Sequence, residues 1–260
     1  MALPRPHVIV SSTASLDGRI TLSKPERLLT PDVDRRWKSQ WPPDVPGLIA
    51  QRAANIEERH HPSVLLEGSG TFVADTAGPV AGIEGRHNSS DLRCDWLPNL
   101  APKWFAVVDG RGRVPWSVTS NADVSLLVLV SASTPLTYLA GLRTLEVPYL
   151  LAGDDQVDLR LALIEIGHLL GATCVVSEGG GGINGALLRG GLVDELQMIW
   201  FPAVVGGADT PSSFDGDSLT PEQEPLSMTH RGTVVGRHGS IWSRYEATSG
   251  GARQVLDEGD

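Results

Sequence analysis

Apolar residues along this chain gather into short runs bounded by glycine, proline and small polar residues, the pattern of buried strands. Val8-Ile9-Val10 opens the series and runs into the β-prone stretch Ser11 to Ser15, closed by a tight turn at Leu16-Asp17-Gly18-Arg19. Further strands are predicted at 64–66, 104–108, 125–130, 148–151, 174–177 and 194–201. Between several of them the spacing lengthens to that of helices. Thr30-Pro31-Asp32 reads as a helix start, with a Thr N-cap, Pro in the first turn and an acid near the positive dipole end. Val33, Trp37 and Trp41 then share one face before Pro42-Pro43 halts the helix. Other helices are predicted at 47–59, at 157–170 with Gly171 as its stop, and at 181–189 before Gly190-Gly191. Residues 77–102 carry little periodicity and read as a long loop. Leu226 to Thr248 reads as a hairpin around Gly236-Arg237-His238-Gly239. Strands alternating with helices and ending in a hairpin predict an α/β sheet with an antiparallel edge.

Composition narrows this picture. The chain has 260 residues, 41% of them hydrophobic, and no linker divides its apolar runs, so a single domain over 1–248 is expected. Residues 249–260 read as a flexible acidic tail. A net charge of −10 disfavours nucleic acid and anionic membrane as partners. No apolar run approaches the roughly 20 residues of a membrane span, and the first residues lack the apolar segment of a signal peptide. Cys94 and Cys174 sit in no redox or metal spacing, which points to a reducing, cytoplasmic setting. The histidines are scattered and His60-His61 is an adjacent pair, so no metal site is expected.

Candidate chemistry begins at Ser177-Glu178-Gly179-Gly180-Gly181-Gly182-Ile183-Asn184-Gly185, a glycine run between an apolar strand and an apolar helix. The first N–H groups of a helix have no intrahelical partner, and glycine lets an anion reach them. Gly180, Gly182 and Gly185 fit G-x-G-x-x-G, so a phosphate loop is one reading and a flexible joint the other. A Rossmann unit needs an acid at the end of the next strand. Here Asp194 and Glu195 stand at its start. No Gly-Lys-Ser/Thr is present, which excludes a Walker loop. A second glycine loop, Glu67-Gly68-Ser69-Gly70-Thr71 through Asp75, also follows an apolar strand. Two such junctions on one sheet edge would suit the two ends of a dinucleotide. Asp154-Asp155 reads as a cap for the 157–170 helix, and the tryptophans as core.

Together these segments resemble the reductase domain at the C-terminus of bacterial riboflavin-pathway deaminase-reductases. The resemblance is carried, in order, by Ala14-Ser15-Leu16-Asp17-Gly18-Arg19-Ile20, by Gly68 to Asp75 and by Val107-Val108-Asp109-Gly110-Arg111-Gly112-Arg113-Val114-Pro115. It continues through Glu178 to Leu188 and Gly190 to Leu196, with Pro202 to Gly207 beyond. It implies a dihydrofolate-reductase-like fold: a mixed, mostly parallel sheet flanked by helices, with a C-terminal antiparallel hairpin. It implies an NADPH-dependent reductase of the ribosylamino group of a phosphorylated pyrimidine, 5-amino-6-(5-phosphoribosylamino)uracil. Hydride goes to C1′ of the opened sugar, and the enzyme works as a homodimer. The alternatives are reduction of a C=N or C=C bond in another heterocycle, or a dinucleotide-binding module without catalysis.

By position, the resemblance makes Glu178 and Asp75 the catalytic residues, with Glu178 also contacting substrate. It assigns Ala14, Thr71, Asp75 and the stretch Gly180, Gly181, Gly182, Ile183, Asn184 and Gly185 to the cofactor, and it places Ser15 on the substrate side. Ser131, with Ser133 and Thr134, and with Arg111 or Arg113 assisting, is expected at the 2′-phosphate of NADPH. Many bacterial family members carry Lys where this chain has Ser11, and the Asp-Asp-Pro-x-Leu-Thr-x-Arg pattern with which the family usually continues after the second glycine loop is absent here. Arg35 or Arg36 is the expected replacement for a substrate-binding arginine.

Overall fold

Along each central strand, odd and even side chains go to opposite faces of one sheet, and each face is covered by helices. A computed structural model describes residues 5–24, 28–80, 89–117 and 123–248; the tail expected at 249–260 lies outside them. The elements are β1 (His7–Ser15), α1 (Pro31–Lys38), α2 (Val45–His60), β2 (Val64–Gly68), α3 (Ser89–Leu92), β3 (Lys103–Val108) and β4 (Val124–Val130). They continue as α4 (Leu136–Thr144), β5 (Tyr149–Leu151), α5 (Leu159–Leu170), β6 (Cys174–Ser177), α6 (Gly181–Arg189), β7 (Glu195–Phe201), β8 (Met228–Val235) and β9 (Ile241–Ala247).

The nine strands lie in the order β5-β4-β3-β2-β6-β1-β7-β9-β8. All pairs from β5 to β7 are parallel, and the hairpin β8–β9 adds the antiparallel edge through β9 against β7. The expected mixed, mostly parallel sheet with a C-terminal hairpin is therefore what forms. Val8, Val10, Leu66, Ala106, Leu127 and Leu129 pack on one face with Leu163 and Ile166 of α5 and Leu187 of α6. On the other face, Val107, Val128 and Val130 pack with Leu139 and Leu142 of α4. Trp37 of α1 and Leu48 of α2 pack there against Ile199, Phe201 and Trp242. The two-residue period of β1 thus sends Val8 and Val10 one way and Ile9 the other, onto Ile56 of α2.

Three local expectations are corrected. Thr30 holds the N-cap position of α1, but its hydroxyl makes no capping bond; Pro31 starts the helix. Asp158, not Asp154-Asp155, caps α5, accepting from the N–H groups of Arg160 and Leu161 at 2.9 and 3.0 Å. The carbonyls of Asp154 and Asp155 instead accept from the N–H and hydroxyl of Ser133. The 77–102 stretch is not featureless where it is described. It holds α3, and Trp96 exchanges both backbone hydrogen bonds with Tyr149, covering the open edge of β5.

At the amino-terminal edge of the sheet, Glu195 is buried. Its carboxylate accepts from Arg59 Nη1 at 2.8 Å, from Gln197 Nε2 at 2.7 Å, and meets His60 Nε2 at 3.0 Å. Burial acts to raise its pKa, but the polar contacts of His7 and Gln197 and the charges of Arg59 and His60 hold it down at about 2. Ligand atoms of His7, His60 and Glu195 lie within 4.8 Å of one another. The two imidazoles stack at 4.8 Å with only 10° between their planes. Parallel rings cannot both hold one ion in their planes, and the cluster works as a hydrogen-bonded clasp between β1, α2 and β7.

The clasp sets an acid dependence. The Glu195 carboxyl is depressed on folding, so its contribution is complete above its unfolded value and is lost as pH falls toward 2. The shift from 4.5 to about 2 is worth on the order of 3 kcal/mol. Burial also lowers the His60 pKa, against the pull of Glu195. The unfolded chain therefore takes up that proton first, and the loss begins as pH drops below His60's unfolded value. Below about pH 4.5 urea midpoints should fall as pH falls, and Glu195→Gln should flatten that slope; an unchanged slope in the variant would contradict this account.

Candidate active site

Strands β2 and β6 are neighbours, with Leu66 opposite Ser177, but the chain leaves them in opposite directions: from β2 to β3 on one side, from β6 to β7 on the other. A crevice opens where such connections part at the carboxyl ends of parallel strands. Here it is a cleft of about 1490 Å³. Most single-ligand sites hold roughly 300–1,000 Å³, so this cleft has room for a dinucleotide and a second molecule.

One wall is the glycine run. Gly180 is the N-cap of α6 and no side chain caps that helix, so its first N–H groups have no side-chain acceptor. A Cβ on Gly182 would meet nothing within 4 Å, and one on Gly180 would meet only Ile20 at 3.9 Å, so the backbone there faces open cleft. Gly181 and Gly185 are glycine for another reason. A Cβ on Gly181 would overlap the Asp215 carboxylate and the Ser212 carbonyl, and one on Gly185 would overlap the Asp215 carbonyl. Asn184 is fully buried and ties the loop together through Ser177 Oγ, Gly179 O and Ser213 O at 2.8, 2.9 and 3.1 Å. Of the six residues of this run expected at the cofactor, Gly180, Gly181, Gly182 and Ile183 line the cleft, while Asn184 and Gly185 turn to the 212–216 loop.

The opposite wall follows β2. Glu67, Thr71 and Asp75 line it, and the Thr71 hydroxyl donates to Glu67 Oε2 at 2.7 Å. Arg113 holds this loop down, donating to Ser69 Oγ at 2.7 Å and to the carbonyls of Ala74 and Asp75 at 3.1 and 3.3 Å. Ser131 is fully buried and outside the cleft. Its hydroxyl meets Ser133, and Thr134 bonds the Ser131 N–H and the Gly110 carbonyl. On this side the cleft is lined by two cations, exposed Arg111 and buried Arg113.

The floor is β1 and α2. Ala14 and Ser15 are fully buried and do not line the cleft. Ser15 Oγ bonds Asp17 at 2.6 Å, and Asp17 in turn accepts from the N–H groups of Val205 and Gly206 at 3.1 and 2.7 Å. Those bonds, the Ser15 hydroxyl first, bring the Asp17 pKa down to about 2. Ser15 thus fixes the turn beside the site. Arg35 and Arg36 are exposed on α1 and outside the cleft lining, Arg35 pairing with Asp32 at 2.7 Å. The same helix presents Asp34, Trp37, Lys38 and, just beyond its end, Trp41. The arginine that enters the cleft from this side is Arg52 of α2, 6% exposed, with Nη1 donating to the Ser12 carbonyl at 2.5 Å. Burial brings its pKa down to about 10, against the attraction of Glu178. It had a legible signal: Leu48, Arg52 and Ile56 form one buried stripe at i, i+4, i+8, and an arginine on such a stripe needs a partner.

The donor set fits a nicotinamide dinucleotide and a polar second ligand. An open glycine backbone lies at one end, and at the other are Ser11 Oγ and Trp41 Nε1, buried atoms of cleft residues with no hydrogen-bond partner in the described structure. The family model of the RibD C-terminal domain matches residues 6–235. The chain belongs to the RibD C-terminal domain family. Among its relatives is the 2,5-diamino-6-ribosylamino-4(3H)-pyrimidinone 5′-phosphate reductase of Archaeoglobus fulgidus, 30% identical over 219 residues, 83% of this chain and 89% of the relative. The reductase of the same description from Methanothermobacter thermautotrophicus is 29% identical over 217 residues, covering 83% and 86%. Among solved structures, a pyrimidine reductase-like protein of Corynebacterium diphtheriae aligns with a TM-score of 0.60 at 17% identity, covering 94% of this chain and 92% of that one. RibD of Acinetobacter baumannii aligns with a TM-score of 0.58 at 20% identity, covering 94% of this chain and 58% of that one. These likenesses show the fold, which is dihydrofolate-reductase-like. As a RibD C-terminal domain with reductases as its relatives, the chain is an oxidoreductase of riboflavin biosynthesis that uses a nicotinamide dinucleotide. No helix among the described residues is long and apolar enough to cross a membrane.

Proposed function

We propose that this chain is an NADPH-dependent reductase of a phosphorylated ribosylaminopyrimidine, converting its ribosylamino group to a ribitylamino group. The relatives' names favour 2,5-diamino-6-ribosylamino-4(3H)-pyrimidinone 5′-phosphate as substrate, ahead of its deaminated uracil counterpart. One observation carries the reading. The cleft joins an open helix N-terminus, suited to a pyrophosphate, to a pocket where Trp37, Trp41, buried Arg52 and Glu178 meet. In this assignment the dinucleotide supplies hydride, and the protein supplies position and charge.

Thr71, Asp75 and the backbone of Gly180 to Ile183 hold the cofactor, and Arg111 is the cation offered to the 2′-phosphate of NADPH. Trp37 and Trp41 flank the flat base, with Ser11 Oγ and Trp41 Nε1 offered to its polar edge. Arg52 meets the anionic end of the sugar phosphate, and Glu178 contacts the ribosyl hydroxyls. The same reading takes the enzyme as a cytoplasmic homodimer with 1–248 as one reductase domain.

The test is NADPH oxidation followed with both pyrimidines under steady-state conditions. Turnover of the pyrimidinone phosphate, with the uracil slower, is expected. A protein that binds NADPH but oxidises it with neither pyrimidine would exclude this substrate class and leave another heterocycle or a non-catalytic module. Absence of NADPH binding would remove the cofactor assignment as well.

A further inference from the structure

Resting on the reading above, we propose that Glu67 is the proton donor of this site, protonating the ribosyl ring oxygen as the sugar opens. Reducing a ribosylamine takes one proton as well as one hydride. The C1′–O4′ bond breaks with its electron pair going to O4′, which takes the proton, while the amine nitrogen's lone pair forms a C=N bond to C1′. Hydride from the reduced nicotinamide then adds to C1′ and the nitrogen regains its lone pair. The hydride comes with the cofactor, but the proton must come from the protein or from water.

The cleft sets two carboxyl groups side by side for this. Glu67 ends β2 and Glu178 follows β6, and these strands are in register at Leu66 and Ser177. Glu67 is the more enclosed: half-buried, with Oε2 accepting from Thr71 at 2.7 Å, whereas Glu178 is exposed at the rim. The two therefore differ in environment, which separates an acid from a charged stabiliser in paired-carboxylate sites. Arg52 on α2, Asp75 on the glycine loop, and Arg111 and Arg113 after β3 are the other charged groups around this part of the cleft. Of these, Glu178 is the neighbour whose charge raises the Glu67 pKa. Burial raises the Glu67 pKa to about 7 despite the Thr71 hydrogen bond, and the adjacent Glu178 charge adds to the rise. A carboxyl group with that value carries a proton over much of the neutral range and can release it, the property a general acid needs.

Glu67→Gln keeps the shape and the hydrogen bond from Thr71 and removes the proton that can be transferred. With the pyrimidinone phosphate, wild-type kcat/KM should fall about tenfold per pH unit above 7. Glu67→Gln should lower kcat by about 100-fold and abolish that limb, with NADPH affinity kept within about threefold. Glu67→Asp should restore part of the rate and the limb, which a merely structural role would not produce. Rates within about threefold of wild type in Glu67→Gln, or a surviving alkaline limb, overturn the proposal. The second measurement needs no turnover. In protein labelled with carboxyl-13C glutamate, one resonance should titrate near pH 7 and vanish in Glu67→Gln; its absence overturns the proposal on its own. A wild type that shows this titration yet turns over neither pyrimidine refutes the substrate reading and, with it, the protonation of O4′, so the two failures are told apart.

Discussion

Gly185→Ala should be among the most damaging single substitutions in this protein, costing more than about 4 kcal/mol by urea unfolding. A methyl group there would occupy the space of the Asp215 carbonyl oxygen, which is backbone and cannot swing aside. Expelling that carbonyl would break Asp215 N–H to Gly181 O at 2.9 Å and Asn184 Nδ2 to Ser213 O at 3.1 Å, and with them the loop that buttresses α6. Three residues away in the same run, Gly182→Ala should do the opposite. Its Cβ points into open space, and replacing glycine by alanine in a helix gains up to about 1 kcal/mol. The cost there should fall on function: Gly182→Val should weaken NADPH binding at least tenfold in a fluorescence titration, because the side chain blocks the approach to the first N–H groups of α6. A substitution at Gly181 would confuse the two effects, since its Cβ would strike Asp215 and Ser212. If Gly182→Val binds NADPH normally, the pyrophosphate does not lie on α6.

Arg52→Met should lower kcat/KM for the pyrimidine phosphate by about 100-fold or more, the usual scale for removing one member of a buried, hydrogen-bonded charge pair. The effect should be a raised KM, with NADPH affinity little changed, because Arg52 lies on the β1–α2 side of the cleft, apart from the glycine run. Stability should change less than activity. Arg52 is buried beside Glu178, and its depressed pKa shows that desolvation opposes the charge more strongly than Glu178 favours it. Methionine fills the space left by the side-chain stem between Leu48 and Ile56 without that penalty. Steady-state kinetics with NADPH saturating and pyrimidine varied would decide it, and an unchanged KM would remove Arg52 from the substrate site.

The strands were easy to read because their central residues form short apolar runs buried on both faces, such as Leu126 to Val130. Helix α4 was missed for a related reason. Tyr138, Leu139, Ala140 and Leu142 are all buried, so it shows no single apolar stripe, and Gly141 interrupts its middle. Helix α1 shows a different limit. Its spacing correctly put Trp37 on the inward face, but whether Arg35, Arg36 or Lys38 met the cleft depended on how the helix lies across the sheet.

The sequence by itself determined the class of the protein. Strand–glycine–helix junctions and a late hairpin specify an α/β sheet with an antiparallel edge, because backbone chemistry and apolar periodicity are local properties, and the ordered motifs carry the resemblance that implies a dihydrofolate-reductase-like reductase. Tertiary structure decided which residues the site contains. Insertion of β6 between β2 and β1 placed Glu178 beside Glu67, α2 packed on the sheet brought Arg52 to the same cleft, and the turn after β4 closed Ser131 into a buried network outside the cleft lining. It also divided one glycine run into two jobs, Gly182 leaving room for a ligand and Gly185 for a neighbouring carbonyl. A missing side chain looks the same in sequence whichever neighbour fills the space, and only the packed chain shows whether that neighbour is a ligand or the protein itself.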